Sequence, residues 1–105
     1  MDTIERLRQM CGGLRDGALL RVSLANALLT QNDAPAAIEQ LRAALKFDPD
    51  YSAAWKLLGK TLADTGDAPA AIEAYRNGIA AAVKRGDKQA QKEMSVFLRR
   101  LERPR

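Results

Sequence analysis

The stretch Asp33-Ala-Pro-Ala-Ala-Ile-Glu39 occurs a second time, letter for letter, as Asp67-Ala-Pro-Ala-Ala-Ile-Glu73. The two copies are 34 residues apart, and chance does not account for a seven-residue identity in a chain of 105 residues. Self-similarity at a fixed period of roughly 20 to 50 residues indicates stacked supersecondary units, each of which buries its apolar face against a neighbour. The repeat therefore predicts a solenoid that contains two copies of one unit.

Further positions of each copy follow a common pattern. The second copy follows the spacing Trp-x2-Leu-Gly-x2-Tyr with Trp55, Leu58, Gly59 and Leu62, where leucine replaces the tyrosine. It follows the spacing Ala-x3-Phe with Ala71 and Tyr75, where tyrosine replaces the phenylalanine. In the first copy the same positions hold Arg21, Leu24, Ala25, Leu28, Ala37 and Leu41. The first copy closes with Pro49, whereas the second has Val83 at the proline position. This pattern and its period resemble the tetratricopeptide repeat, a helix–turn–helix unit.

The resemblance implies an all-α fold, a right-handed α-solenoid of about six helices. Two tetratricopeptide repeats are expected over residues 18–51 and 52–85, between an N-terminal helix over 3–11 and a C-terminal capping helix over 87–102. We expect the whole chain, residues 1–105, to form a single domain. Its abundant alanine, leucine, arginine, lysine and glutamate are good helix formers, which agrees with this prediction.

Local signals place the helix ends. Asp33 and Asp67 stand where the second helix of each repeat begins and are expected to cap it, and Asp16 and Asp87 are expected to cap the first helix of repeat one and the last helix. Gly86 is expected to end the helix before Asp87.

Apolar and small residues at helical spacing predict the core. Small side chains at Ala25 and Gly59 would let the two helices of each repeat approach closely, and Trp55 is interpreted as a core filler rather than a binding aromatic. The apolar stripe of the last helix is predicted to comprise Met94, Phe97, Leu98 and Leu101.

The composition narrows the classes of function. The chain has no histidine, no glycine-rich phosphate loop, and one cysteine, Cys11, without a partner for catalysis. Paired carboxylates such as Asp48 with Asp50 lie at helix junctions, where capping explains them. We therefore expect no catalytic residues, no metal site and no cofactor, and the protein is not predicted to be an enzyme.

Charge and cysteine usage bear on location and partners. The net charge is +4, and residues 84–105, with eight basic and three acidic side chains, hold the positive excess. No signal peptide and no membrane-spanning run of apolar residues is visible, and a single cysteine fits a reducing compartment. We expect a cytoplasmic protein without membrane contact, and the starting Met1 favours an intact small protein over a fragment.

The resemblance also implies where a partner would bind, because tetratricopeptide solenoids present the first helix of each repeat, helix A, on a concave face that holds peptides. The groove positions carried over from the family are Leu19, Val22, Asn26, Leu29 and Thr30 in the first repeat, Ala53, Lys56, Lys60, Ala63 and Asp64 in the second, and Lys92, Val96, Arg99 and Arg100 on the last helix. The last group depends on an alignment that inserts two residues after Arg85.

The groove positions predict the chemistry of a partner. Lys56 and Lys60 lie four residues apart on one helical face and could pair with carboxylates of an acidic peptide or protein segment. Asn26 stands where some family members bind a C-terminal carboxylate, but Val22 replaces the lysine that such a clamp needs. The alternative is that both lysines are simply solvated.

Two other functions compete with peptide binding. Nucleic acid could bind the basic last helix through Arg99, Arg100, Arg103 and Arg105, but acidic residues interrupt this patch and Phe97 belongs to the apolar stripe, so nucleic acid is the less favoured partner. Self-association through the edges of the solenoid is compatible with peptide binding, and we expect a monomer or a weak homo-oligomer. The sequence does not name the partner.

Overall fold

A computed structural model describes residues 2–103, and within this range the chain forms six α-helices and no β-strand. The helices are α1 (Thr3–Met10), α2 (Ala18–Thr30), α3 (Ala34–Phe47), α4 (Ser52–Asp64), α5 (Ala68–Arg85) and α6 (Lys88–Glu102). The predicted all-α repeat fold is therefore confirmed.

The chain divides into two compact units, the N-terminal unit, which extends to Pro49, and the C-terminal unit, which begins at Asp50. In the N-terminal unit α2 packs against α3, and α1 packs more lightly against α2. In the C-terminal unit α5 packs against both α4 and α6, and α4 also touches α6. Each unit thus contains one closely packed pair of helices, α2 with α3 and α4 with α5, and one additional helix.

An aspartate caps four of the six helices described: Asp2 caps α1, and α3, α5 and α6 begin in the same way. The side chains of Asp33, Asp67 and Asp87 each accept a hydrogen bond from the backbone N–H three residues further on, at 3.2, 3.2 and 3.0 Å. The residue before each aspartate has a left-handed backbone: Asn32 (φ 60°), Gly66 (φ 89°) and Gly86 (φ 72°). This pairing ends one helix and starts the next within a connection of two or three residues, in agreement with the predicted caps.

The predicted cap at Asp16 is wrong. Helix α2 begins at Ala18 with Gly17 as its N-cap, and no side chain bonds to its first turn. The Asp16 carboxylate instead accepts hydrogen bonds from the backbone N–H groups of Gly12 and Gly17, at 2.7 and 2.8 Å, and from the guanidinium of Arg21. Arg21, one turn into α2, offers this carboxylate a charged, bidentate partner. The carboxylate binds that guanidinium rather than the free backbone N–H groups at the start of the helix.

The core of the C-terminal unit depends on two close approaches to α5. Gly59 of α4 faces Tyr75 so closely that a Cβ atom there would lie 2.6 Å from the Tyr75 ring. Gly78 of α5 would bring a Cβ within 2.6 Å of the Trp55 Cβ and within 2.5 Å of the Met94 sulfur. The predicted core role of Trp55 agrees with this packing. The predicted stripe of α6 also faces the core, since Met94 is fully buried and Phe97, Leu98 and Leu101 pack against the same cluster.

Candidate functional site

The parallel helices α4 and α6 form a seam, which we call the α4–α6 seam, and polar pairs bridge its N-terminal half. Ser52 Oγ donates a hydrogen bond to Asp87 Oδ2 at 3.3 Å, and Lys56 Nζ lies 3.2 Å from Glu93 Oε2. Lys56, one of the two lysines predicted to meet an acidic partner, therefore already has a carboxylate partner within its own unit.

The C-terminal half of the seam is open and contains a cavity of about 260 Å³, which we call the Tyr75 cavity. Its lining residues come from α4, α5 and α6: Lys60, Ala63, Asp64, Tyr75, Phe97, Arg100 and Leu101. Tyr75 is only 3% exposed, and its ring centroid lies 5.7 Å from that of Phe97. The cavity thus offers apolar and aromatic surface and, at its solvent-exposed edge, charged side chains.

The charges at the edge of the Tyr75 cavity do not balance. Lys60 Nζ lies 2.9 Å from Asp64 Oδ2, and this exposed pair within one helix neutralises itself. The Arg100 guanidinium carbon lies 5.9 Å from the centroid of the Phe97 ring, a cation–π distance. No carboxylate of residues 2–103 pairs with Arg100. The edge therefore has an excess positive charge at Arg100.

The Tyr75 hydroxyl stays protonated over the whole physiological range. Burial raises the pKa of Tyr75, and the nearby negative charge of Asp64 raises it further. The hydroxyl of this cavity-lining residue can consequently donate a hydrogen bond at neutral pH.

Other predicted groove residues of the C-terminal unit are accessible but lie apart from the Tyr75 cavity. Lys92, Val96 and Arg99 are exposed on α6 without lining it, and Arg99 Nε makes only a long contact of 3.4 Å with the Ser95 carbonyl oxygen. Ala53 borders a shallow cavity of about 200 Å³ at the bridged end of the seam. Arg105, named above as a possible phosphate contact, lies outside the described residues.

In the N-terminal unit the predicted groove residues follow α2. Leu19 is 70% exposed, Asn26 and Thr30 are exposed, and Val22 and Leu29 are half-buried. Thr30 borders a cavity of about 340 Å³ between α1 and α2. Sequence reasoning did not foresee that α1 would lie beside this end of α2.

Arg21 occupies the tryptophan position of the first repeat, and the structure explains this substitution. Its guanidinium pairs with Asp16, donates to Gln40 Oε1 at 2.9 Å and stacks over Phe47 at 5.9 Å from the ring centroid. An ion pair and a cation–π contact thus replace the apolar packing that Trp55 provides in the second repeat. The only signal in the sequence was the arginine five residues after Asp16.

Sequence reasoning also missed three lining residues of the Tyr75 cavity. The sequence pattern presents Tyr75 only as part of the repeat signature, and Phe97 and Leu101 only as the apolar stripe of the last helix. Each of them contributes to the core and to the cavity at the same time, and periodicity alone does not distinguish these two uses.

Two classes of site are not found among residues 2–103. No group of three or more Cys, Asp or Glu side chains in this range could hold a metal ion. No helix in the same range is long and apolar enough to cross a membrane.

Comparison with known proteins supplies the family. The family model described as tetratricopeptide repeat matches residues 22–83. A protein of Pseudomonas aeruginosa named as containing tetratricopeptide repeats is 48% identical over 102 residues, which are 97% of each chain.

Solved structures agree with this assignment. The solution structure of a Bordetella parapertussis protein is 48% identical, with a TM-score of 0.80 over 97% of this chain and 89% of that one. The crystal structure of a tetratricopeptide repeat domain protein of Salinibacter ruber is 25% identical, with a TM-score of 0.77 over 83% of this chain and 97% of that one. The chain therefore belongs to the tetratricopeptide repeat family.

Proposed function

We propose that this protein is a non-catalytic interaction module of the cytoplasm that binds a peptide or a segment of another protein through the exposed faces of α2 in the N-terminal unit and of α4 and α6 in the C-terminal unit. Tetratricopeptide repeat proteins are generally protein-interaction modules, and they are typically not enzymes. The proposed contact residues are Leu19, Val22, Asn26, Leu29, Thr30, Lys56, Lys60, Asp64, Lys92 and Arg99.

One observation carries this proposal, namely the open half of the α4–α6 seam. The Tyr75 cavity offers apolar surface that solvent can reach, and Arg100 adds a charge that no carboxylate of residues 2–103 neutralises. Concave apolar surface with a few convergent polar groups is the usual form of a binding site. The cavity lies between α4, which is helix A of the second repeat, and α6, which the alignment places in the corresponding position. This location supports the binding face that the family resemblance implied.

The ion pairs of Lys56 and Lys60 modify the expected preference for an acidic partner. Each lysine has an intramolecular carboxylate, and both pairs are at least one-third exposed. Exposed pairs of this kind contribute about 0 to 1 kcal/mol, so a carboxylate of a partner could replace Glu93 or Asp64 at little cost. The lysines then assist binding, but they do not select acidic partners strongly.

NMR titration of the isotope-labelled full chain with synthetic acidic peptides, blocked at both ends, tests the proposal. We expect amide shifts at Asn26, Lys56 and Lys60, which weaken as salt is added. Peptides with glutamine and asparagine in place of the acidic residues serve as the matched control. Shifts that avoid these faces would refute the proposal.

Self-association is a second candidate, and exposed apolar side chains of the N-terminal unit favour it. Leu14 is fully exposed in the connection after α1, and Leu19 is 70% exposed at the start of α2. Light scattering over a range of protein concentrations tests this idea, with Leu19→Ser as the matched variant. A concentration-independent monomer mass for the unaltered chain would exclude self-association.

A further inference from the structure

We propose that the Tyr75 cavity takes one large apolar side chain of a partner peptide, and that an aspartate or glutamate next to that residue in the peptide pairs with Arg100. This inference rests on the proposed function and specifies the chemistry that the same face would select. The occupant is thus an internal apolar–acidic pair of residues rather than a free C-terminal carboxylate.

The size of the cavity limits its occupant. Its volume of about 260 Å³ lies just below the range of roughly 300 to 1,000 Å³ that is usual for sites of drug-sized ligands. The cavity is therefore suited to one leucine, methionine or phenylalanine side chain and is too small for a large cofactor. Ala63, Phe97 and Leu101 supply the apolar contacts for such a side chain.

The positive charge of Arg100 beside the cavity selects the residue that neighbours the apolar side chain in the peptide. Lys60 and Asp64 neutralise each other across 2.9 Å, whereas Arg100 has no carboxylate partner among the described residues. A guanidinium presents planar paired donors that match a carboxylate in bidentate geometry. The contact of Arg100 with the Phe97 ring holds the guanidinium beside the cavity.

The opposite end of the seam gives the peptide a preferred location. There Asp87 and Glu93 present carboxylates that are bonded to Ser52 and Lys56, so an acidic residue of a peptide would meet like charges and occupied cations. Both the apolar opening and Arg100, which has no carboxylate partner within the described part of the chain, lie at the C-terminal end of α4 and α6. The apolar residue and the acidic residue of the peptide should accordingly both bind at that end.

Selection of a random linear peptide library, displayed internally so that no peptide C-terminus is free, on the full chain tests the inference. We expect enriched sequences to carry a leucine, methionine or phenylalanine within two positions of an acidic residue. Ala63→Leu should fill the cavity and Arg100→Gln should remove the charge, so each should weaken an enriched peptide about tenfold or more, or about 1.4 kcal/mol. Arg42→Gln, which alters an exposed arginine of α3 outside the proposed binding faces, is the matched control and should leave affinity unchanged.

Circular dichroism of each variant establishes that it is folded before binding is compared. Peptides that shift amides along α2 and α4 but bind Ala63→Leu and Arg100→Gln as well as the unaltered chain would overturn this inference and leave the proposed function intact. Failure of the library to yield any peptide that binds these faces would overturn both. Equal losses in Arg42→Gln and Arg100→Gln would show that diffuse charge, rather than the Tyr75 cavity, attracts the peptide, and would overturn the inference.

Discussion

Asp16 concentrates more polar contacts than any other carboxylate discussed above. Its oxygens accept hydrogen bonds from two backbone N–H groups and from two guanidinium nitrogens. These contacts leave only 9% of its side chain exposed. The Arg21 hydrogen bonds, with the Gly12 N–H next in importance, hold the pKa of Asp16 well below its ordinary value of 3.8. This single residue thereby links the end of α1 to the first turns of α2.

Asp16→Asn should lower the melting temperature of the protein at neutral pH. It should also make the melting temperature fall less steeply as the pH is lowered. The folded-state pKa of Asp16 lies below the ordinary value of 3.8. Its carboxylate therefore stabilises the fold above about pH 4, and this contribution is lost as the pH falls further. We expect the difference in melting temperature between the two proteins to be constant near neutral pH and to shrink below about pH 4.

Asp33→Asn provides the matched control for this experiment. Asp33 is an exposed helix cap whose carboxylate accepts from the Ala36 N–H, and asparagine caps a helix about as well as aspartate. Its melting temperature should therefore stay close to that of the unaltered chain. If Asp16→Asn behaved in the same way at neutral pH, the Arg21 pair would contribute nothing measurable.

Gly66→Ala tests the left-handed position that ends α4. The backbone φ of Gly66 is 89°, and an added Cβ would meet no atom within 4 Å, so the whole effect is conformational. We expect a loss of about 1 to 2 kcal/mol in the free energy of unfolding, measured with urea. Asn32→Gly, at the corresponding step of the first repeat, should instead be neutral or stabilising by up to about 1 kcal/mol. Equal effects of the same sign would contradict this explanation.

At the scale of the helix pair, α4 and α5 approach closely because Gly59 leaves room for the Tyr75 ring. Gly59→Ala should destabilise the protein by about 1 to 3 kcal/mol through overpacking, since the new Cβ would lie 2.6 Å from that ring. The loss would occur although alanine is the better helix former by about 1 kcal/mol. Urea unfolding of the variant measures the balance between these two effects.

The first repeat suggests the rescue. It carries Ala25 and Leu41 at the positions of Gly59 and Tyr75, and both are fully buried. In a Tyr75→Leu background, Gly59→Ala should therefore become neutral or stabilising, which gives a coupling free energy of about 1 to 3 kcal/mol in a double-mutant cycle. Additive effects would mean that the ring does not limit the approach of the helices.

The elements that sequence reasoning predicted correctly depend on local chemistry. The aspartates before α3, α5 and α6 cap their helices. Helix α4 begins at Ser52 and α6 begins at Lys88, two residues later than one 34-residue period would place it, which supports the two-residue insertion after Arg85. Met94 is fully buried, as is Leu58 at the aligned position. Features with strict local requirements could thus be read from the residues alone.

The features that were missed depend on contacts distant in sequence. The Asp16 carboxylate had two possible partners, the helix end or Arg21, and only tertiary geometry decides between them. The Lys56–Glu93 pair joins α4 to α6 across 37 positions of the sequence, and it occupies a lysine that the sequence alone left free. The Tyr75 cavity likewise exists only because three helices leave space beside residues that each look like core.

At the scale of the whole molecule, the two outer helices contribute very differently to the fold. Helix α1 has no buried residue, whereas α6 buries Ala90 and Met94 and packs Phe97, Leu98 and Leu101 against the core of the C-terminal unit. In a repeat protein the last unit must cover the apolar face of the one before it. Helix α6 fulfils this requirement for α5.

Removal of α6 by ending the chain after Gly86 should abolish cooperative unfolding, whereas removal of residues 1–10 should only lower the melting temperature. Each fully buried large apolar side chain contributes about 1.5 to 3 kcal/mol, and a domain has only about 5 to 15 kcal/mol in total. The loss of Met94 and its partly buried neighbours therefore approaches the whole stability, and it exposes Tyr75 and Trp55. Circular dichroism melting curves and binding of a hydrophobic dye measure both effects. A cooperative melt without α6, at a temperature close to that of the full chain, would mean that this helix serves the binding face alone and that α5 needs no cover.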